Sequence, residues 1–113
     1  MKSKKLGVRR GVPDHWVIVP TSGVNILVAI EMKRTQGGVI SDYQFAMIHK
    51  LNDCKGIIAL VANGSEEAIE IVELVRKEKW EKIDEKIEKF EKKREKRIKL
   101  RKRQEEYEKD NPF

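Results

Sequence analysis

The sequence predicts an α/β fold, a small mixed β-sheet flanked by helices and followed by a long charged C-terminal helix. Three observations carry this expectation. Two runs rich in β-branched residues, His15 to Val19 and Ile26 to Ile30, are separated by the turn-forming Pro20-Thr-Ser-Gly23 and Asn25. A wholly apolar run, Ile57 to Ala62, lies between two segments that carry helix-start signals. From Arg76 the composition turns abruptly to Lys, Arg and Glu, which divides the chain into a globular domain over 1–75 and a helical tail over 76–113.

Taken in order, the first two runs read as adjacent antiparallel strands. Side chains alternate along a strand, so Glu31 and Lys33 share one face and Met32 points to the other. By the same rule Asp14, Trp16 and Ile18 share a face, and His15 is expected to point away from Asp14. Gly37-Gly38 then lets the chain turn. Ser41 reads as a helix N-cap, Gln44 completes a capping box, and Ile40 with Phe45 forms a hydrophobic staple. That helix is expected to run to about Asn52 with Tyr43, Met47 and Leu51 as its buried stripe.

Ile57 to Ala62 reads as a buried central strand. Asn63-Gly64 turns the chain into a second helix capped by Ser65, with Glu66 and Glu67 in its first turn and Ala68, Ile69, Val72 and Val75 as its apolar stripe. Beyond it, Glu78–Lys82, Glu85–Lys89 and Glu88–Lys92 are i, i+4 pairs in the stabilising orientation. Trp80, Ile83, Ile87 and Phe90 give about two heptads of seam, too few for an independent coiled coil. The expectation is a long, largely exposed helix continuing directly from the second one, with the seam packed on the domain or on a second copy.

Bulk chemistry narrows the partners. The 113 residues carry a formal net charge of +6, which favours a polyanion, nucleic acid ahead of an anionic membrane. The run Lys92 to Arg103 alone holds nine basic residues against the single acid Glu95, a surface suited to a nucleic acid backbone; a merely solvated helix is the plainer alternative. No apolar run has membrane-spanning length, no signal peptide follows Met1, and Cys54 is the only cysteine. The expected location is cytoplasmic. With no Cys/His cluster, zinc is not expected.

If the first two strands form a hairpin, Asp14, Glu31 and Lys33 converge at one end of it. Two carboxylates and an ammonium there would hold a divalent metal against a phosphate. An exposed Glu31–Lys33 charge pair is the plain alternative, but the nearly continuous apolar run before Glu31 places its charge at the mouth of a cleft. Gln44 is explained by the capping box or by a role at the site; its single amide orientation makes the two hard to combine. His49 is expected at the surface and Cys54 in a small buried position.

Gly11-Val12-Pro13-Asp14, Ile30-Glu31-Met32-Lys33 and Gly37-Gly38-Val39-Ile40-Ser41 with Gln44 together resemble the virus-type replication-repair nuclease (VRR-NUC) family of the PD-(D/E)xK superfamily, over about residues 7–75. The resemblance implies a restriction-endonuclease-like core and a Mg²⁺-dependent structure-specific DNA endonuclease, with Mn²⁺ as a substitute. It implies Asp14, Glu31 and the carbonyl of Met32 as metal ligands and Asp14, Glu31, Lys33 and Gln44 as catalytic residues. Lys4, Lys5, Arg9, Arg10 and Arg34 are the expected DNA contacts. Branched DNA such as a four-way junction is the implied substrate, a homodimer the implied assembly, and a virus or bacterium the implied source. Flap or nick cleavage, a non-catalytic DNA-binding module with an incomplete site, and a protein-interaction role for the tail are the alternatives. Family members carry an acidic residue on a preceding helix, whereas none of the thirteen residues before Asp14 is acidic. A fragment, a missing ligand, or a carboxylate supplied from elsewhere, including a second subunit, would each account for that difference.

Overall fold

A computed structural model describes residues 11–33 and 39–110. The element order is β1 (His15–Pro20), β2 (Asn25–Lys33), α1 (Asp42–Asn52), β3 (Ile57–Asn63), α2 (Ser65–Arg76) and α3 (Trp80–Asp110). The three strands form one mixed sheet in the order β1-β2-β3. β1 and β2 are the expected antiparallel hairpin, with His15 opposite Ile30 and Pro20 opposite Asn25. β3 runs parallel to β2, from Leu27–Ile57 to Lys33–Asn63, and α1 makes the crossover that parallel pairing requires.

The alternation of β2 sends Ile26, Val28 and Ile30 towards α2, where they join Val19, Leu60, Ala62, Ile71 and Val75 in the larger core cluster. Ala29 faces the other way, into a smaller cluster with Ala59 and with Phe45 and Ile48 of α1. Side chains of this size contribute about 1.5–3 kcal/mol each when fully buried, so β2, covered on both faces, anchors the molecule.

The capping box of α1 is formed as the sequence predicts. Ser41 Oγ accepts from the Gln44 N–H at 3.2 Å and Gln44 Oε1 accepts from the Ser41 N–H at 2.8 Å. Ile40 packs against the cluster that holds Phe45, as a staple requires. The buried stripe differs from expectation: Phe45 and Ile48 face the sheet, with Leu51 beside them, while Tyr43 is exposed. Burying Phe45 at the staple position rotates the helix, and Tyr43 turns outward. At the C-terminal end Asn52 clamps β3, donating to the Ala59 carbonyl at 2.8 Å and accepting from its N–H at 2.7 Å.

Among the described residues β3 is an edge strand rather than a central one. Its apolar character arises because α1 and α2 cover its faces and α3 crosses its outer edge. Ile83 of α3 belongs to the α2-side cluster and Phe90 to the α1-side cluster, so one helix bridges both halves of the core. Covering the outer edge of β3 protects a sheet edge that would otherwise invite pairing.

Three helix expectations are corrected. α2 is N-capped by Gly64, with φ 101° and no side-chain cap; Ser65 is already helical. Its core residues are Ile71 and Val75, whereas Ile69 is exposed. α3 does not continue from α2. Glu78 adopts a left-handed backbone, φ 55°, and the chain reverses, bringing α3 back over α2 and the sheet. The Glu78 carboxylate accepts from Ser22 Oγ at 2.8 Å and from the Ser22 N–H at 3.3 Å. This links the α2–α3 turn to the β1–β2 turn and takes Glu78 out of the expected helical pair with Lys82. Ile83 and Phe90 of the seam are buried and Ile87 packs beside them, while Trp80 stays substantially exposed.

Candidate metal and phosphate site

The site forms because β2 outruns β1. β1 begins at His15 opposite Ile30, whereas Glu31, Met32 and Lys33 continue alongside Val61, Ala62 and Asn63 of β3. Among the described residues these three therefore have no strand partner on the β1 side, and Asp14 fills the gap. Its Oδ1 accepts from the Met32 N–H at 3.1 Å. A residue's N–H and C=O project from the same edge of a strand, so the Met32 carbonyl faces the same opening as Asp14. The Met32 side chain packs on the opposite face against the α2-side cluster.

Two contacts fix the approach to Asp14. Trp16 Nε1 donates to the Pro13 carbonyl at 2.8 Å, tying the segment before β1 to the strand. Gly11, at φ +84°, lies so close to the first turn of α1 that a Cβ there would stand 2.4 Å from the Tyr43 carbonyl oxygen and 2.8 Å from the Gln44 nitrogen. Only glycine tolerates both the backbone angle and the approach. The Gly-x-Pro-Asp sequence is thus a spacer held against the helix that carries Gln44.

His15 contradicts the alternation argument. Its Nδ1 lies 2.8 Å from Asp14 Oδ1. Asp14 precedes the strand, so strand alternation does not govern it, and its carboxylate folds back to meet both the Met32 N–H and the imidazole. Partial loss of hydration pushes the Asp14 carboxyl up. The His15 hydrogen bond, the Met32 N–H and the charge of His15 outweigh it, leaving a net value below the usual 3.8.

Glu31 is 7% exposed and is the buried charged residue among those described. Burial pushes its carboxyl above the usual 4.5, and the negative charge of Asp14 pushes it further; Lys33, a hydrogen bond with Gln44 and His15 pull it partly back. The two carboxylates feel each other, and Glu31 bears the cost. Lys33 Nζ donates to Gln44 Oε1 at 3.1 Å, the same oxygen that accepts from the Ser41 N–H. Capping and contact with the site are therefore combined: the amide oxygen serves both, and Gln44 spans Lys33 and Glu31.

No protein-family model matches this chain, and no curated protein or solved structure matches it significantly.

Asp14, Glu31, Lys33, Gln44 and the Met32 backbone are thus brought together. Lys4, Lys5, Arg9, Arg10 and Arg34, and the Gly37-Gly38 turn, lie outside the described residues. Among the described residues no three His, Cys, Asp or Glu side chains gather into a metal-binding group, so the acidic part of the site is a pair. His49 is half-buried, with Nδ1 2.9 Å from Glu91 of α3, and Cys54 is exposed, donating to the Lys50 carbonyl. Among the described residues, no helix is long and apolar enough to cross a membrane.

Sequence reasoning missed the His15–Asp14 contact and the packing of Gly11 on α1. The first carried no periodic signal. The second was signalled only by a glycine placed three residues before the acid.

Proposed function

We propose that this chain is a metal-dependent, structure-specific DNA endonuclease that hydrolyses phosphodiester bonds, with a restriction-endonuclease-like core and branched DNA such as a four-way junction as substrate. The observation that carries the reading is the convergence of Asp14, Glu31 and Lys33 at the overhanging end of β2, joined by Gln44. The donor set fits Mg²⁺ or Mn²⁺. It is all oxygen, and it includes a buried carboxylate whose ionised form is disfavoured by burial and by a second carboxylate, a penalty that a divalent cation reverses. Asp14, Glu31 and the Met32 carbonyl would hold the ion, which when bound polarises phosphate oxygen and makes a water more acidic.

The protein groups divide the remaining work. The Met32 N–H and His15 fix the Asp14 carboxylate and keep it ionised. Lys33, on the same strand face as Glu31, neutralises charge that builds on the phosphate oxygens as water attacks. Gln44 holds the ammonium in place through one oxygen. The +6 charge supports a nucleic acid partner.

A panel of duplex, flap, splayed-arm and four-way DNA, incubated with Mg²⁺ or Mn²⁺, tests the reading. Cleavage of a branched substrate is expected, and Asp14→Asn, Glu31→Gln and Lys33→Ala are each expected to reduce it at least a hundredfold. Undiminished cleavage by these variants would remove the site assignment. One observation favours a second reading, a non-catalytic DNA-binding module: the acidic set among the described residues stops at two. That reading requires steep salt-dependent binding and no metal-dependent products. A homodimer is proposed as the assembly. It is supported by the strand order, in which β1 has no neighbour on its outer edge among the described residues, and by the exposure of Trp16, Val17 and Ile18 along it. Sedimentation equilibrium distinguishes it from a monomer.

A further inference from the structure

Beside Lys33 a cavity of about 650 Å³ opens between the end of β2, the start of α2 and the middle of α3. We propose that this cavity binds an unpaired nucleic acid strand, with its phosphates on Lys33, Lys89 and Lys93 and a base over the apolar floor. The inference rests on the reading of a nucleic acid substrate, and it adds a binding site built largely from α3.

The walls carry different chemistry. Lys89 and Lys93 are exposed and one helical turn apart, about 6 Å along the axis, a separation comparable to that of successive phosphates in an extended strand. No described residue forms an ion pair with either, so both ammonium groups are free for a ligand. Lys33 lines the same cavity and belongs to the strand end that also carries Glu31. Across the cavity, Glu70 is neutralised by Lys86 at 2.7 Å. Glu66 and Glu67 remain, and they repel phosphate from the α2 side while offering acceptors to the amino groups of a base.

The floor reaches the edges of Phe45 and Phe90, whose rings meet at 5.3 Å. Both rings are otherwise buried, and the Arg97 guanidinium sits over the Phe45 face at 5.2 Å. The floor therefore offers apolar contact rather than an open stacking face. A base can rest its face against this apolar patch while the lysines hold the backbone, the electrostatic part of single-strand binding that needs no sequence readout. The volume lies within the range of clefts that hold small ligands, about 300–1,000 Å³. It has room for a nucleotide or two, whereas a duplex is too broad to enter. The arrangement therefore selects strands whose bases are free.

Fluorescence anisotropy with a labelled oligothymidylate and with a matched duplex, in EDTA and across a salt titration, tests this without any cleavage step. For the variant Lys89→Ala/Lys93→Ala, the slope of log K against log salt on single strand is expected to fall by about 1.4, two phosphates at roughly 0.7 each. Affinity for the single strand should drop at least tenfold and duplex binding should be unchanged. Both lysines are exposed and alanine favours helix, so circular dichroism is expected to match the wild type. An unchanged single-strand slope, an equal loss on duplex, or no single-strand binding by the wild type would overturn the proposal. Absence of metal-dependent products together with the altered slope fails the endonuclease reading alone; cleavage with an unaltered slope fails this inference alone.

Discussion

At the residue scale, Glu31 is held at a cost. A buried carboxylate beside a second one raises its own pKa, so the folded protein binds its proton more tightly than the unfolded chain does. The resulting instability is absent below the unfolded value of 4.5 and grows as pH rises through the elevated folded value. In EDTA at pH 7, Glu31→Gln is therefore expected to raise Tm, on the order of 1 kcal/mol or about 4 °C, and the gain should vanish in acid. Thermal melts from pH 4 to 8 check this, pH 4 lying just below that 4.5. A variant less stable than wild type at neutral pH would show that Glu31 is satisfied by its neighbours instead. Asp14 has the opposite sign. Its lowered pKa contributes stability above 3.8 that is lost as pH falls through the folded value. Mg²⁺ should raise the Tm of the wild type with concentration, as any ligand of the native state does, and the rise should be lost in Glu31→Gln. Gln44→Ala removes both a capping partner and the acceptor for Lys33. It should cost about 1 kcal/mol of stability, and cleavage should fall by more than that loss explains.

At the scale of elements, the site depends on how α1 meets the segment before β1. Gly11→Ala would drive a methyl group into the backbone of Tyr43 and Gln44 at a positive φ. It is expected to destabilise the fold by about 1–3 kcal/mol and to reduce cleavage further by displacing Asp14. Comparison of urea midpoints with single-turnover rates separates the two effects. The same elements show what local sequence conveys. The hairpin, the Ser41–Gln44 box and the Ile40–Phe45 staple were legible because each is decided by residues a few positions apart. Asp14, Glu31 and Lys33 could be grouped because the turn after Pro20 folds the two runs into a hairpin, which sets the start of the first beside the end of the second. The burial of Phe45 rather than Tyr43, and of Ile71 rather than Ile69, was not legible, since several stripes fit each short helix and only the facing sheet selects among them. The left-handed Glu78 was hidden for a similar reason. A helix-favouring residue occupies the turn, held there by a contact with Ser22, more than fifty positions away.

At the scale of the molecule, that reversal decides the status of α3. A tail continuing outward from α2 would be dispensable, whereas a helix folded back over β3 is part of the core. Ile83 is 1% exposed and Phe90 is 6% exposed, and each belongs to a cluster that also contains sheet residues. Phe90→Ala is expected to cost about 3–5 kcal/mol and Ile83→Ala about 2–5 kcal/mol, a large share of what a domain of this size has. Truncation should therefore behave as a step. Removing residues from 102 onward takes away helix that is exposed over 102–110 and should leave Tm within a few degrees, because the Arg97 and Arg101 contacts to Asp42 remain. Removing residues from 79 onward strips Ile83, Phe90 and the Glu91 partner of His49, uncovers the β3 edge, and should leave a chain with no cooperative melt. Calorimetry on the two truncations checks the step. A folded 1–78 fragment would show that the sheet, α1 and α2 suffice, and that α3 is an appendage resting on a finished core.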